Sequence, residues 1–290
     1  MYLAERVRYL EFQVSRMSSL LRLLAGPQMT SLPLSRQTKE SFQFQWDQLP
    51  TGRWNLNNPL FREEASLYVC EFTQLPKEWF SGKSVVDVGC GSGRYSWAMG
   101  QLGAKVLSAD QSDAALERAA AACADIPGHR TRKIDLLKDI GIVEQFDLVW
   151  CFGVLHHTGD TYGAFKRLVP LVKSGGYLFL MLYGEPRPGE IGDLRAVNEY
   201  EVWREKTANM DFSERLSAIR EGMTREEFEN NGDDYVEGYF DAISPRINDL
   251  YRYDEVEGWL LQEGFGDIRR TVNTRNIHIV ARRISDTAGQ

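Results

Sequence analysis

The chain has 290 residues, 43% hydrophobic and 26% charged, enough to bury one sizeable core plus an accessory element. Its 34 Lys and Arg against 41 Asp and Glu give a net charge of -7, which disfavours a broad phosphate-backbone footprint, so nucleic acid is not an expected partner. The four cysteines, Cys70, Cys90, Cys123 and Cys151, form no C-x-x-C pair, no apolar run approaches the ~20 residues of a membrane span, and no signal-peptide order opens the chain. A reducing cytoplasm without structural zinc is the expected setting.

Leu3, Val7, Leu10, Val14, Met17, Leu21 and Leu24 recur at intervals of four and three, which predicts an amphipathic helix over residues 1–26 with a heptad seam. Arg6 and Glu11 fall where opposite charges pair across a parallel dimer, so a homodimer through this helix is expected. The alternatives are packing against the chain's own domain, or a membrane-surface helix using Arg6, Arg8, Arg16 and Arg22. Gly26-Pro27 ends the helix, and residues 27–80 read as a linker. Within it, Ser41-Phe42-Gln43-Phe44-Gln45-Trp46 is too short for a core of its own. It reads either as a strand or turn covering a domain edge or as a flap over a site, with Trp54, Asn55 and Asn57 as extensions.

Val85-Val86-Asp87-Val88-Gly89-Cys90-Gly91-Ser92-Gly93-Arg94-Tyr95-Ser96 joins a buried strand to a glycine turn. Lacking a Cβ, Gly89, Gly91 and Gly93 let the backbone turn tightly and lie against a ligand as the next helix begins. The spacing is G-x-G-x-G rather than the G-x-G-x-x-G of dinucleotide folds, and no Gly-Lys-Ser/Thr follows to hold a triphosphate. A second strand, Lys105 to Asp110, ends in an acid where a ribose diol would lie. Ala114 to Ala124 reads as a helix, and Arg130 to Asp135 as a third strand with Asp135 beside Leu136. Asp135 is also a ready helix cap.

Phe146 to Phe152 is the fourth strand, apolar enough for burial on both sides of a parallel sheet. At its carboxyl end, where open α/β sheets bind ligands, stands Cys151-Phe152-Gly153-Val154-Leu155-His156-His157-Thr158-Gly159-Asp160. Either histidine has a pKa suited to removing an acceptor's proton, and either can instead cap or pack the next helix. His129 and His278 read as peripheral. A helix over 161–172 and a fifth strand over 177–183 follow. An insertion over 185–248 then carries Glu199-Tyr200-Glu201, Asp233-Asp234-Tyr235 and Tyr239-Phe240-Asp241. Tyr183, Tyr239, Arg246, Asn248 and Tyr251 are candidate substrate-binding groups, although each can equally cap a turn. A helix over 253–262 and strands over 265–270 and 274–282 close a core of residues 81–184 and 249–284, leaving 285–290 as a tail.

VVDVGCGSGRYS and FDLVWCFGVLHHTGD together resemble the class I S-adenosylmethionine-dependent methyltransferases, over about Val85 to Arg282. The first motif there has the form hhDhGCGxG, followed by an acid closing the second strand. The resemblance implies an α/β fold: a doubly wound, Rossmann-like, seven-stranded sheet, mostly parallel with an antiparallel last strand, here with an N-terminal helix and a helical lid insertion. It implies S-adenosyl-L-methionine as cofactor, bound at Asp87, Gly89, Cys90, Gly91 and Gly93, with Asp110 and Gln111 at the ribose. Asp135 would accept from the adenine amino group while Leu136 packs on the ring, and Cys151, Phe152 and Gly153 would hold the methionine end. Similar aromatic segments precede the glycine motif in many such enzymes, so Gln45 and Trp46 join the expected cofactor contacts.

Insertions at position 185 commonly cover the acceptor in this family, which makes 185–248 a lid; a helical dimer contact is the alternative. Cys151-Phe152-Gly153-Val154 stands where amide and base N-methyltransferases carry an Asn-Pro-Pro-Tyr type tetrad. Oxygen, or less often carbon, is therefore the expected acceptor atom, on a small molecule such as a sugar or another natural-product hydroxyl. His157 and His156 are the candidate bases, and no metal is required. The FGVLHH region resembles, more loosely, transferases that modify the wobble uridine of transfer RNA with a carboxylated cofactor. A protein that binds the cofactor without chemistry is the remaining alternative.

Overall fold

The computed structural model describes residues 34–49, 56–222 and 233–284, together with residues 10, 13, 14 and 17; of 233–235 it describes the backbone only. Most of the predicted N-terminal helix, Trp54, Asn55 and the tail therefore lie outside the described residues, as do the side chains of Asp233, Asp234 and Tyr235. The chain divides into two compact units, residues 53–184 with 249–290, and residues 1–52 with 185–248.

The larger unit is built on a seven-stranded sheet. Its strands are β1 (Ser84–Val88), β2 (Lys105–Asp110), β3 (Arg130–Lys133), β4 (Phe146–Phe152), β5 (Val172–Leu182), β6 (Phe265–Asn273) and β7 (Ile277–Arg283), in the order β3-β2-β1-β4-β5-β7-β6. The first five run parallel, and β7 is antiparallel to both β5 and β6. Central strands are apolar because both faces are covered. Val86, Val88, Val149, Cys151, Leu178 and Leu180 face one layer, with Phe165 and Leu168 from α5 (Thr161–Leu168) and Val256 and Leu260 from α9 (Tyr253–Gln262). Val85, Leu148, Trp150, Phe179 and Val280 face the other, with Phe61, Val69 and Phe72 from α2 (Pro59–Thr73) and Tyr95 and Trp97 from α3 (Arg94–Gln101). Strand β3 at the edge reads Arg-Thr-Arg-Lys and is exposed throughout, a charged edge that discourages pairing with another chain.

Two boundaries differ from the sequence reading. Strand β3 stops at Lys133, before Asp135, and Pro170 ends α5 by forcing a short 3-10 turn, Val169–Leu171, after which β5 starts at once. Within 27–80, the described residues 34–48 and 59–73 are helical, and α2 begins at a proline capped by Asn58, whose Oδ1 accepts from the Leu60 and Phe61 amides at 3.1 and 3.5 Å.

The smaller unit is helical: α1 (Leu34–Gln48), α6 (Ile191–Lys206), α7 (Phe212–Gly222) and α8 (Asp233–Ile243). Leu49, Leu216, Ile219, Val236, Phe240 and Ile243 form its core, with Phe44 5.5 Å from Phe240. Carbonyls at the end of α8 are met by buried donors: Arg204 Nε and Nη2 on Ala242 O, and Arg215 Nη1 and Gln37 Nε2 on Ser244 O. Cations at a helix C-terminus also suit its dipole. No helix among the described residues is long and apolar enough to cross a membrane.

At the amino ends of β1, β4 and β5, Asp147 Oδ2 accepts from Ser84 N at 2.9 Å, Ser84 Oγ at 2.8 Å and Lys173 Nζ at 2.9 Å. Burial works to raise this carboxyl, but the Lys173 and Ser84 donors outweigh it and hold it at about 2. A depressed carboxyl contributes stability that is complete above its unfolded pKa of ~3.9 and is lost as pH falls toward 2. Asp147→Asn is therefore expected to cost about 1 kcal/mol in urea unfolding at pH 7. The gap between the variant and the parent should close between pH 4 and pH 2.

Candidate functional site

The sheet order reverses between β1 and β4, the position at which open α/β sheets bind their ligands. After β1 the chain makes a turn in which Gly89, Gly91 and Gly93 have φ of 72°, 53° and 82°. Gly89 N and Cys90 N both donate to Ala109 O, at 2.7 and 3.1 Å, which ties the turn to the end of β2. A Cβ on Gly89 would fall 2.3 Å from Val154 Cγ2, so the turn and the loop after β4 meet at a spacing only glycine permits. A Cβ on Gly93 would fall 2.7 Å from Ala119 Cα, in α4 (Asp113–Ala122), and Gly93 leads directly into α3.

Asp110, last in β2 and half-buried, accepts from Gly91 N at 3.1 Å through Oδ2 and from Ser112 N at 2.9 Å through Oδ1. Gln111 beside it is exposed. Asp87 lies beneath the turn, 3% exposed, with Oδ2 accepting from Ser96 Oγ at 2.6 Å. Burial pushes its carboxyl up to about 7, against the opposing pull of Ser96 and Arg94. Burial also drives the Cys90 and Cys151 thiols well above their usual range, so both are protonated packing groups rather than nucleophiles.

Beyond β4, Gly153 has φ of 75° and donates to Met181 O at 3.1 Å. A short 3-10 turn, Leu155–His157, places both histidines in the protein interior. His156 is fully buried, its ring 4.1 Å from that of Tyr183 and 4.1 Å from that of His157. Its Nδ1 accepts from Tyr183 N at 3.4 Å, which leaves the proton on Nε2, and burial drives its pKa far down. Such a ring is a neutral packing element. His157, 8% exposed, stands edge-on to Tyr183 at 5.5 Å. Tyr251 N donates to Tyr183 O at 3.0 Å, so these two tyrosines share one backbone junction.

The other sequence candidates are spread further. Asp135 Oδ1 accepts from Leu137 N at 3.0 Å, so it caps a turn rather than the helix foreseen after it, and its other oxygen pairs with Lys138 at 3.3 Å; Leu136 is buried in the core. Gln45 and Trp46 lie on α1, not on a strand or turn, because the aromatics Phe42, Phe44 and Trp46 sit within a continuous helix whose Phe44 joins the core of the smaller unit. Tyr239, Arg246 and Asn248 belong to that unit as well. Tyr239 Oη bonds Glu199, Arg246 N donates to Gln37 Oε1 at 2.9 Å, and Asn248 Nδ2 donates to Ala242 O at 2.8 Å. Among the described residues no cluster of His, Cys, Asp and Glu is arranged to hold a metal ion.

Two residues read as peripheral make contacts inside the larger unit. His278 is 7% exposed, 5.0 Å from the Phe72 ring and 5.9 Å from that of Phe152, and its burial lowers its pKa to about 4. His129 Nε2 is 2.7 Å from Ser108 Oγ, in the strand next to Asp87. For His129 the available signal was a lone polar residue in an apolar strand, Ser108 in β2, since a buried polar group requires a partner.

Residues 86–178 match the family model described as a methyltransferase domain. Over 104 residues the chain is 36% identical to the ubiquinone biosynthesis O-methyltransferase of Pseudomonas fluorescens (strain SBW25), covering 34% of this chain and 44% of that one. Over 116 residues it is 34% identical to the tRNA U34 carboxymethyltransferase of Campylobacter hominis, covering 34% of this chain and 35% of that one. The chain thus spans less than half the length of these curated relatives. Among solved structures, the magnesium protoporphyrin IX methyltransferase of Synechocystis PCC 6803, with bound SAM, aligns with a TM-score of 0.52 at 14% identity, over 88% of this chain and 99% of that one, a likeness of fold. Sheet order and glycine turn agree with the match of residues 86–178 to a methyltransferase domain, and the likeness to the solved structure is one of fold.

Proposed function

We propose that the protein transfers a methyl group from S-adenosylmethionine to a hydroxyl of a small molecule. The observation that carries this reading is the glycine turn whose missing Cβ lets it lie against Val154, with the Asp110 carboxylate held at its edge by two backbone amides. Such a cradle fits a nucleoside: Gly89, Cys90, Gly91 and Gly93 line its approach, and Asp110 with Gln111 receives the ribose diol. Asp135 and Leu136 serve the adenine, and the Cys151 to Gly153 backbone serves the methionine end. When bound, the cofactor supplies a methyl carbon already activated by its sulfonium. The chain's task is then orientation, exclusion of water and removal of the hydroxyl proton.

His157 is the group assigned to that proton. His156 is committed through Nδ1 and stacked on Tyr183, so it positions its neighbour rather than acting itself. An oxygen acceptor agrees with the Cys-Phe-Gly-Val sequence at the end of β4 and with the O-methyltransferases among the relatives. The likeness to a tRNA U34 carboxymethyltransferase favours a second reading, in which transfer RNA is the acceptor and the transferred group is carboxymethyl. The net charge of -7 weighs against it. Tyr183 and Tyr251 are assigned to the acceptor. The exposed, helical Leu10, Val14 and Met17, each about 60% exposed, support a dimer seam at the N-terminus.

Incubation with S-adenosylmethionine and a panel of phenols and sugars, read by mass, is expected to add one methyl to a hydroxyl. A carboxymethyl adduct on bulk transfer RNA, with none on the panel, would replace this reading with the second. Asp110→Ala should weaken cofactor affinity roughly 10²-fold in calorimetry, two charge-assisted bonds being lost. His157→Gln should lower turnover by ~10² to 10⁴ with cofactor affinity unchanged. His156→Gln should instead lower stability by about 1–3 kcal/mol, as a buried group loses its partners. By light scattering, Val14→Lys with Met17→Lys should convert a dimer to a monomer that still binds cofactor; a wild type monomeric at micromolar concentration would discard the seam.

A further inference from the structure

A chain of hydrogen bonds runs from the turn before β3 through β2 and α3 to β1 and ends beneath the glycine turn. Ser96 Oγ donates to Asp87 Oδ2 at 2.6 Å, Ser108 Oγ donates to Ser96 Oγ at 2.6 Å, and His129 Nε2 lies 2.7 Å from Ser108 Oγ. Ser96 and Ser108 are fully buried, Asp87 is 3% exposed, and His129 at the far end is half-buried. The path links β1, α3, β2 and the turn before β3. Asp87 and Ser108 are register partners, and His129 immediately precedes β3, whose Arg130 pairs with Leu107.

Proton counting gives this chain a direction. A hydroxyl has one hydrogen, so a Ser96 that donates to Asp87 must accept from Ser108, and a Ser108 that donates to Ser96 must accept from His129. An ionised Asp87 therefore requires hydrogen on His129 Nε2. Place a proton on Asp87 Oδ2 and every link can reverse, with Ser108 donating to a bare Nε2 and the ring hydrogen on Nδ1. A protonated His129 can only donate, and so favours the ionised carboxylate.

We propose that His129 is a positioning residue of the cofactor site, holding Asp87 ionised through Ser108 and Ser96. This rests on the cofactor assignment above, because a negative Asp87 under the turn suits a ligand of net positive charge. The charged groups around Asp87 act alongside the relay: Arg94 of α3 favours the ionised form and Asp110 of β2 opposes it. The Cys90, Cys123 and Cys151 thiols and the Tyr95 hydroxyl also face it; burial is the largest influence on all four, and each is raised. On the His129 side, Arg130 is engaged by Glu144 at 3.0 and 2.8 Å, and burial lowers the His129 ring.

The test begins with ligand-free protein, following the Asp87 carboxyl carbon by NMR as pH is varied. In His129→Leu and in Ser108→Ala the relay loses a link, and the Asp87 midpoint should move up by about one pH unit, tenfold in its ionisation equilibrium. His129→Gln, whose amide can donate in place of Nε2, should titrate as the parent, and the double variant should move no further than either single one. Calorimetry with S-adenosylmethionine should then show His129→Leu about tenfold weaker than the parent near pH 6 and equal to it at pH 9. An unmoved midpoint in both His129→Leu and Ser108→Ala, or a His129→Gln displaced as far as His129→Leu, overturns the relay. Midpoints that move in a parent unable to bind S-adenosylmethionine would uphold the relay's control of Asp87 and reject the cofactor assignment instead.

Discussion

The contact between Gly89 and Val154 is the constraint on which the rest of the site depends. Adjacent parallel strands that send their connections to opposite sides leave a gap at their carboxyl ends, and two loops must approach closely there for the gap to become a binding surface. A side chain on Gly89 would overlap both methyls of Val154, and its φ of 72° would strain any residue that bore one. With no Cβ present, the first turn lies against the loop after β4, and the residues that follow, from Cys90 to Gly93 and from Gly153 to His157, hold their places relative to one another.

Beneath this surface the two faces of the sheet differ in chemistry. One is aliphatic, with α5 and α9 packed over it. The other holds packed aromatics, Trp150 stacked 4.2 Å from Phe179 and Tyr95 tilted 4.9 Å from both Trp150 and Phe152, and in the same layer the polar relay from His129 to Asp87. Low polarity strengthens the hydrogen bonds of that relay and raises the penalty of leaving any member unpaired. Asp147 at the opposite end of the strands is treated differently: a lysine and a serine hold it ionised near the surface, while Asp87 is buried and balanced near neutrality.

The two histidines after β4 illustrate how neighbours in sequence acquire separate roles. Both are buried, yet His156 stacks on Tyr183 and spends Nδ1 on its backbone amide, whereas His157 meets the same tyrosine edge-on. A ring with one nitrogen accepting and the other carrying hydrogen cannot take up a proton without losing that bond. The asymmetry follows from a single 3-10 turn and is invisible in the dipeptide.

From the residues alone, much of the core was legible. Alternating apolar strands, the glycine spacing and an acid one helix later define a doubly wound sheet, because burial on both faces and a positive φ leave few residue types to choose from. Helix Tyr253–Gln262 follows from the same periodicity, whereas the order of the strands is set by the tertiary structure. Local pattern failed where long-range contacts decide. Ser41 to Trp46 joined a helix because Phe44 finds Phe212 and Phe240, about 170 and 200 residues away in sequence, and Asp135 fell outside β3 because its carboxylate closes a turn. His129 and Ser108 are 21 residues apart and carry no motif; only the pairing of β3 with β2 brings their side chains together, since hydrogen bonds between distant positions are set by register rather than by neighbouring residues.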